Sequence, residues 1–183
     1  MVFVPFKELE TPRLILRKVR REDAADYYKH LGSSEAVTRY MLFNPHKDFS
    51  ESVASVEKAL QRYETGRFYR WAITRKEDDG FLGVIDLLRF DEDRNTCSFA
   101  YMIGQPFWGK GYGTESLKAV FCFAFDEMKL DAVEADHMAE NIASGRVMQK
   151  AGMTHIRTEK AKYEKNGRVH DAPVYRITAE EWK

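Results

Sequence analysis

Several features that would by themselves indicate the class of a protein are scarce in this sequence. Cysteine occurs only twice in 183 residues, at Cys97 and Cys122, in neither a C-x-x-C nor a zinc spacing, so nothing calls for an oxidising compartment or a metal. No apolar run approaches the roughly 18 residues of a membrane span, and residues 1–6 are too short for the apolar core of a signal peptide. We therefore expect a soluble cytoplasmic protein without a membrane partner.

An excess of charge of one sign is also missing. Lys plus Arg and Asp plus Glu both number 29, which gives a formal net charge of zero. This disfavours a protein that holds nucleic acid by bulk positive charge, and no nucleic-acid partner is expected. The length and an ordinary content of 11 glycines and 5 prolines predict one domain over residues 1–183, with a substantial core. The composition leaves open whether the protein is a monomer or a homodimer.

The pattern of apolar residues predicts a mixed α/β chain. Alternating and continuous apolar runs predict strands, and Asn166-Gly167 between two extended runs predicts a tight hairpin turn. Apolar residues at helical spacing from Leu117 to Met128 predict a helix there. The other expected helices cover residues 21–31, 50–63 and 141–151. The expected strands cover residues 13–18, 69–74, 81–90, 96–103, 132–137, 155–164 and 172–177.

The most informative segment is Gln105-Pro-Phe-Trp-Gly-Lys-Gly-Tyr-Gly-Thr114, which holds glycines at alternate positions before the predicted helix. Glycine lets the backbone approach a ligand closely and turn N–H groups toward it. The helix that follows adds unpaired amides and the positive end of its dipole. We interpret the segment as a cradle for phosphate groups. The alternative is a glycine-rich surface turn without a ligand.

Three phosphate-binding loops compete for this segment. The dinucleotide pattern G-x-G-x-x-G fits Gly109 and Gly111 but meets Thr114 where its third glycine belongs. The Walker pattern fits Gly104, Gly109 and Lys110, but a glycine stands where the magnesium-binding hydroxyl is needed. The third is the loop Q/R-x-x-G-x-G/A of the acetyl-CoA-dependent N-acetyltransferases. Residues 108–113 match both of its small positions and carry tryptophan at the first.

A second segment decides between them. Asn141-Ile-Ala-Ser-Gly-Arg-Val-Met-Gln-Lys-Ala-Gly-Met153 begins with helix-capping residues and ends on a glycine suited to a helix stop. Together the two segments resemble the GNAT superfamily of N-acetyltransferases and, within it, the RimJ and RimL branch, which acetylates ribosomal protein N-termini. The form W-G-x-G-Y-G/A-T-E is frequent in that branch, and Leu9-Glu-Thr-Pro-Arg-Leu-Ile-Leu-Arg17 is similar to its usual start. The resemblance covers about residues 9–178.

The resemblance implies a mostly antiparallel, twisted sheet with helices on both faces. It also implies that strands 98–103 and 133–137 splay apart and hold acetyl-CoA, whose pantetheine lies between them like an added strand. In that arrangement the backbone amides of residues 108–114 hold the diphosphate, and Asn141 hydrogen-bonds the pantetheine arm. Trp108 has a plainer interpretation as a residue that closes the loop, and the cations have one as solvated surface charges. The implied cofactor contacts are Met102, Ile103, Trp108, Gly109, Lys110, Gly111, Tyr112, Gly113, Thr114, Asn141, Ser144, Arg146 and Lys150.

Acetyl transfer to an amine needs a neutral amine, a stabilised carbonyl oxygen and a proton for the departing thiolate. The resemblance places Ser144 where a RimL-type enzyme has a serine that protonates the thiolate, and helix capping is the compatible alternative. Many relatives carry a glutamate on the strand before the loop, where this sequence has Ser98. The remaining candidates for the base are Asp86, in an apolar run, and Glu134 and His137, on opposite faces of the next strand. An α-amine, with a pKa near 8, would need little help.

We therefore predict an acetyl-CoA-dependent N-acetyltransferase in which a primary amine attacks the thioester directly. The favoured acceptor is a protein N-terminal α-amine, and a small amine metabolite or an amine-bearing antibiotic is a close alternative. Two other classes stay open. One is a non-catalytic acyl-CoA-binding module, which the serine at position 98 supports, and the other is a P-loop phosphotransferase.

Overall fold

The computed structural model describes residues 1–183, and its centre is a single sheet of eight strands. The strands are β1 (Leu9–Glu10), β2 (Leu14–Arg17), β3 (Tyr69–Arg75), β4 (Phe81–Asp91), β5 (Thr96–Ile103), β6 (Ala132–Asp136), β7 (Thr154–Lys165) and β8 (Arg168–Thr178). Their order across the sheet is β1-β2-β3-β4-β5-β6-β8-β7. Every neighbouring pair is antiparallel except β5 and β6.

Six α-helices accompany the sheet. They are α1 (Asp23–Tyr27), α2 (Glu35–Thr38), α3 (Phe49–Tyr63), α4 (Tyr112–Cys122), α5 (Ile142–Lys150) and α6 (Ala179–Trp182). α1 and α4 each continue into a π-helical turn, Tyr28–Gly32 and Phe123–Glu127 respectively. Two helices begin at a capping side chain: Asp48 caps the N-terminus of α3, and Asn141 caps the N-terminus of α5. No helix is long and apolar enough to cross a lipid bilayer.

The parallel pair β5 and β6 is joined at one end only. Thr96 pairs with Ala132 and Cys97 pairs with Val133, and the pairing stops there. From residue 98 onward β5 pairs with β4 alone, and β6 pairs with β8. The sheet therefore opens into a gap between the two strands, which confirms the predicted splay.

Helices cover the sheet in two layers, one on each face. On one face α4 and α5 pack over the centre, where Val120 and Phe121 are fully buried in the same core as Val133. On the other face α1 and α3 cover β3 and β4, with Val56 buried beside Val84. Each large apolar side chain buried in this way stabilises the fold by about 1.5–3 kcal/mol. The two cores thereby hold the N-terminus of α4 beside the gap on one face and α3 over the neighbouring strands on the other.

The predicted order of strands and helices is confirmed, with differences at its edges. The expected helix 21–31 is α1 followed by its π-helical turn. The last strand begins at Arg168 rather than residue 172, because Asn166 and Gly167, with φ of 51° and 73°, form a two-residue turn that starts pairing at once. β1, α2 and α6 were not expected, since two to four residues are too few to show a period.

Candidate active site

Six consecutive backbone amides at the start of α4 have no acceptor within the protein. They belong to residues 109–114, where the glycine loop enters the helix. Gly109 and Gly111 adopt φ angles of +75° and +83°, a conformation that side chains rarely take. Unpaired amides at a helix N-terminus bind anions well, because the helix dipole adds to their hydrogen bonds. The loop therefore has the donors that a diphosphate group needs.

An ion pair ties this loop to the start of β2. Arg13 donates from Nη1 to the Lys110 carbonyl at 3.0 Å and from Nε to Glu115 at 2.7 Å. Glu115 also accepts from the Thr11 hydroxyl at 2.6 Å. Burial acts to raise the pKa of Glu115, but the hydrogen bonds from Thr11 and Arg13 outweigh it and lower that pKa. This clamp holds the loop through a carbonyl and a carboxylate and leaves the loop amides free.

Trp108 closes the loop from within, which is the plainer of its two predicted roles. Its indole Nε1 donates to the Ile103 carbonyl at 2.6 Å, and its amide donates to the Gln105 carbonyl at 3.2 Å. The prediction counted the Trp108 amide among the free donors, whereas the turn uses it. One lone pair of the Ile103 carbonyl is used as well, so a pantetheine contact there would share that oxygen.

The end of β5 is held rigidly by β4 at the predicted pantetheine contact. Met102 pairs with Val84 and is 9% exposed. Gly83 comes so close that a β-carbon on it would overlap the Met102 carbonyl, and that carbonyl is backbone that cannot give way cheaply. Glycine at position 83 therefore permits the backbone geometry of β5 next to the gap.

Asn141 and Ser144 lie together at the start of α5. The Asn141 side-chain oxygen accepts a hydrogen bond from the Ser144 amide at 3.3 Å, so Asn141 caps the helix. The side-chain NH₂ of Asn141 has no partner in the chain. The hydroxyl of Ser144 is met by the Tyr101 hydroxyl at 3.4 Å. Both side chains therefore keep a hydrogen-bonding group for a ligand while they serve the helix.

Tyr101 connects β5 with α5 across the open end of the gap. Its ring lies 3.7 Å from the position that a β-carbon on Gly113 would take, so it sits directly beneath the first turn of α4. Burial raises the pKa of Tyr101, with the hydrogen bond to Ser144 opposing the shift. The phenol is thus a protonated donor next to the Ser144 hydroxyl.

Three exposed cations lie on or beside the glycine loop. Lys110, on the loop, and Arg146 and Lys150, one turn apart on α5, form no ion pair with any carboxylate. Val147, between the last two, lies 3.7 Å from the position of a β-carbon on Gly113, which places this part of α5 beside the loop. The cations are free for outer phosphates, and the geometry is equally compatible with solvated charges.

A large cavity lies on the opposite face of the sheet, between α3 and the strands. Its volume is about 550 Å³, and Met102 of β5 forms part of its wall. A smaller hollow of about 170 Å³ reaches Ser98 on the same strand. Ser98, Ala100 and Met102 share one face of β5 because side chains alternate along a strand, and Ala100 between them is exposed. The two recesses therefore lie along the same face of β5, next to the gap.

The imidazole of His46 lines the large cavity, and one of its nitrogens has no hydrogen-bond partner. His46 Nδ1 lies 2.7 Å from Ser52 Oγ, and the ring stacks on Tyr27 with centroids 6.1 Å apart. Its Nε2 has no partner in the chain. The orientation of the ring is therefore fixed by the protein, while one nitrogen stays available to a molecule in the cavity.

A lysine from the far hairpin braces the loop that forms one end of the cavity. Lys165 Nζ donates to the carbonyls of Thr38, Met41 and Phe43 at 2.7, 2.5 and 3.1 Å. Burial lowers the pKa of Lys165. Because Phe43 and His46 are cavity residues, this contact between the β7–β8 turn and the loop before α3 sets the shape of the cavity.

Asp86, the first candidate for the base, is committed to an ion pair. Both of its oxygens accept from Arg70, at 2.7 and 2.8 Å. This explains how a carboxylate survives in an apolar run, since a paired, bidentate charge avoids the cost of burial. The geometry gives Asp86 a structural role and leaves no free oxygen pair for a substrate amine.

Glu134 and His137 lie on opposite faces of the sheet, as predicted, and the side chain of each is held by other protein groups. Glu134 is 3.4 to 3.6 Å from three arginines, Arg94, Arg157 and Arg176. His137 is 8% exposed, with Nδ1 2.8 Å from the Met138 carbonyl and its ring stacked on a tyrosine under α5. No group of acidic, histidine or cysteine side chains is placed to hold a metal. The base role stays a prediction for Asp86, Glu134 and His137, and the geometry favours none of them.

Sequence reasoning missed three side chains of this region. Strand alternation places Tyr101 on the α4 face, toward Ser144, so the predicted register of β5 could have found it. His46 and Lys165 gave no local signal. His46 lines the cavity and Lys165 braces the loop at its end, and both do so only because α1, the loop before α3 and the last hairpin come together in the fold.

Comparison with known proteins agrees with this geometry. Residues 13–154 match the acetyltransferase (GNAT) domain. The chain is 29% identical to the uncharacterized N-acetyltransferase p20 of Bacillus licheniformis, over 95% of this chain and 97% of the relative. It is 26% identical to the ribosomal protein uS5-alanine N-acetyltransferase of Escherichia coli, over 98% and 94%.

Solved structures share the fold at low sequence identity. A GNAT-family acetyltransferase from Bacillus anthracis superposes with a TM-score of 0.86 at 22% identity, over 95% of this chain and 99% of that one. The microcin C7 self-immunity acetyltransferase MccE, determined with acetyl-CoA and AMP, gives 0.82 at 18% identity, over 92% and 93%. The matched domain spans the splayed strands, the glycine loop and α5. This protein therefore belongs to the GNAT family of N-acetyltransferases, which use acetyl-CoA as acetyl donor.

Proposed function

We propose that this enzyme acetylates an α-amine, with a protein N-terminus as the favoured acceptor. The main observation in support of acetyl-CoA binding is the row of six free backbone amides at residues 109–114. The acceptor half is supported by the uS5-alanine N-acetyltransferase relative, which aligns over nearly the whole chain. It is also supported by the ion pairs that occupy the two predicted carboxylate bases, Asp86 and Glu134, because an α-amine with pKa near 8 is already partly neutral at physiological pH and needs little help from a base.

Each residue then has a defined task. The amides of residues 109–114 bind the diphosphate, with Lys110, Arg146 and Lys150 as outer cations. Bound acetyl-CoA supplies an activated acetyl thioester. The Asn141 side-chain NH₂ binds the pantetheine arm, which the gap between β5 and β6 orients. Water in the cavity, or the free His46 Nε2, accepts the amine proton.

The departing thiolate receives its proton from the start of α5. Ser144 Oγ is the donor, and the Tyr101 hydroxyl 3.4 Å away replaces the proton that Ser144 gives up. A serine hydroxyl is a weak acid by itself, so a second donor that stabilises its oxygen makes the transfer easier. Tyr101 is therefore a positioning residue that acts through Ser144.

A small amine is the second candidate, and the cavity favours it. A volume of about 550 Å³ lies within the usual range for small-molecule sites. A peptide N-terminus would enter with its first residue or two, whereas a metabolite or an antibiotic would be held whole.

One assay separates these functions. Purified protein is mixed with acetyl-CoA and a panel of peptides with free N-termini and small primary amines, and release of the coenzyme A thiol is followed. We expect release with α-amine peptides at the highest kcat/KM. Faster turnover of small amines would select the second candidate. Acetyl-CoA binding without release for any amine would contradict both and indicate a non-catalytic binding module.

A further inference from the structure

Resting on the proposed acetyl transfer, we infer that the large cavity selects a primary amine that also carries a carboxylate or phosphate group. The first observation is the net positive charge of the cavity wall. The cavity wall contains four cations, Lys47, Lys58, Arg62 and Arg70, against a single carboxylate, Glu51. The chain as a whole has a formal net charge of zero, so this wall is a local departure from the average.

Most of these cations are not neutralised by the protein. Arg70 forms the bidentate pair with Asp86. Lys47, Lys58 and Arg62 have no carboxylate within salt-bridge distance. Cations that line a recess and lack partners raise the concentration of anions there and are stabilised when an anion binds.

Arg62 is also held in place for such a contact. Its guanidinium carbon lies 4.1 Å from the centre of the Phe68 ring, which is buried in the cavity wall. Stacking on an aromatic ring leaves the edge of the guanidinium free to meet a carboxylate or phosphate with two hydrogen bonds. Lys58 lies one turn earlier on the same face of α3. The two form one anion-binding edge.

The position of this edge sets the shape of the acceptor. Met102, another residue of the cavity wall, lies near the end of β5, beside the gap where the acetyl group is delivered. An amine near Met102 and an anion near Lys58 and Arg62 would span the cavity within one small molecule or within the first two residues of a peptide. A polyamine would place a second cation against the same edge, which like-charge repulsion opposes.

Matched pairs of amines test the inference directly. The first pair is an amino acid and its carboxamide, the second an amino alcohol and its phosphate ester, and the third two peptides beginning Ala-Asp and Ala-Asn. We expect kcat/KM to be at least about tenfold higher for the anionic member of one pair, the size of a charge-assisted contact. The pair with the largest ratio identifies the anion. Spermidine is the cationic comparison and should be a poor acceptor.

Variants assign the preference to the cavity. The double substitution Lys58→Gln/Arg62→Gln should reduce the ratio to about twofold or less, with acetyl-CoA affinity unchanged. Lys118→Gln/Lys129→Gln removes the same charge from exposed positions outside the cavity and should keep the full ratio. Circular dichroism verifies that both variants are folded.

Different results would overturn the inference and the proposed function. Acetyl transfer with equal rates within every pair, a ratio that survives Lys58→Gln/Arg62→Gln, or spermidine as the best acceptor would overturn the inference alone. Acetyl-CoA binding with no thiol release from any amine would overturn the proposed function, and the inference with it.

Discussion

The two faces of the sheet hold the two halves of the proposed site, a cofactor side and an acceptor side, and these are built differently. The cofactor side consists of residues 108–114 and 141–150, two continuous segments whose hydrogen-bonding groups are left unpaired. The acceptor side draws on α1, the loop before α3, α3 itself, β3, β5 and the last hairpin. A group that every relative must bind can be encoded locally, whereas a cavity for a particular acceptor is assembled from distant parts of the chain.

The largest effect should follow from closing the amide cradle on the cofactor side. Gly111→Val puts a β-branched residue at φ +83°, which costs about 1–3 kcal/mol if the loop keeps its shape and removes diphosphate contacts if it does not. We expect acetyl-CoA affinity to fall about 100-fold, measured by calorimetry, with the circular dichroism spectrum unchanged.

Gly113→Ala is the matched control for this change. A β-carbon at Gly113 would meet only ordinary contacts at 3.7 Å, so affinity should stay within about twofold. Equal losses in the two variants would mean that the loop matters for stability and does not bind the diphosphate.

The next effect tests the proton donor between the two sides. Ser144→Ala should lower kcat about tenfold, less than many acid catalysts contribute, because a thiolate is a stable leaving group. Tyr101→Phe should lower it about threefold through the same hydroxyl. Stopped-flow assays should find both KM values unchanged.

Ser144→Thr keeps a hydroxyl and should restore much of the rate. A Tyr101→Phe effect that persists in the Ser144→Ala background would contradict the claim that Tyr101 acts through Ser144.

On the acceptor side, Lys165→Met should act at long range. It removes three hydrogen bonds to the loop at residues 38–43, so the end of the cavity should loosen. We expect the acceptor KM to rise roughly fivefold, with acetyl-CoA affinity unaffected. Glu164→Gln, at the exposed neighbouring position, is the control, and a change in cofactor affinity would show that the two sides are not separate.

The smallest effect is expected for the stability of the folded protein at acid pH. The folded-state pKa of Glu115 is lowered from 4.5 because hydrogen bonds from Thr11 and Arg13 outweigh burial. Its clamp therefore contributes fully above about pH 4.5 and is lost as pH falls through the lower folded-state value. Thermal melts from pH 6 to 3 should show a slightly steeper decline for the native protein than for Glu115→Gln. Parallel curves would contradict the role of the clamp.

The same contrast explains what the sequence could predict. The glycine loop, the capped helix and the regular alternation of the strands predicted the order of helices and strands, because each signal lies within a dozen residues, and the resemblance to the GNAT superfamily added the splay. Asp86 looked like a functional carboxylate because its partner, Arg70, is 16 residues away on another strand. Lys165 reaches carbonyls more than 120 residues earlier in the chain. Contacts of that range depend on the completed packing, and no local pattern encodes them.

The proposed function depends most on the binding of the diphosphate by the free amides of the glycine loop, and amide NMR tests this binding directly. Titration of ¹⁵N-labelled protein with coenzyme A should shift the N–H resonances of residues 109–114, while that of Trp108, already bonded to Gln105, moves less. Pantetheine, which lacks the diphosphate, should leave the six resonances in place. Binding of coenzyme A without any shift in residues 109–114 would contradict the central claim.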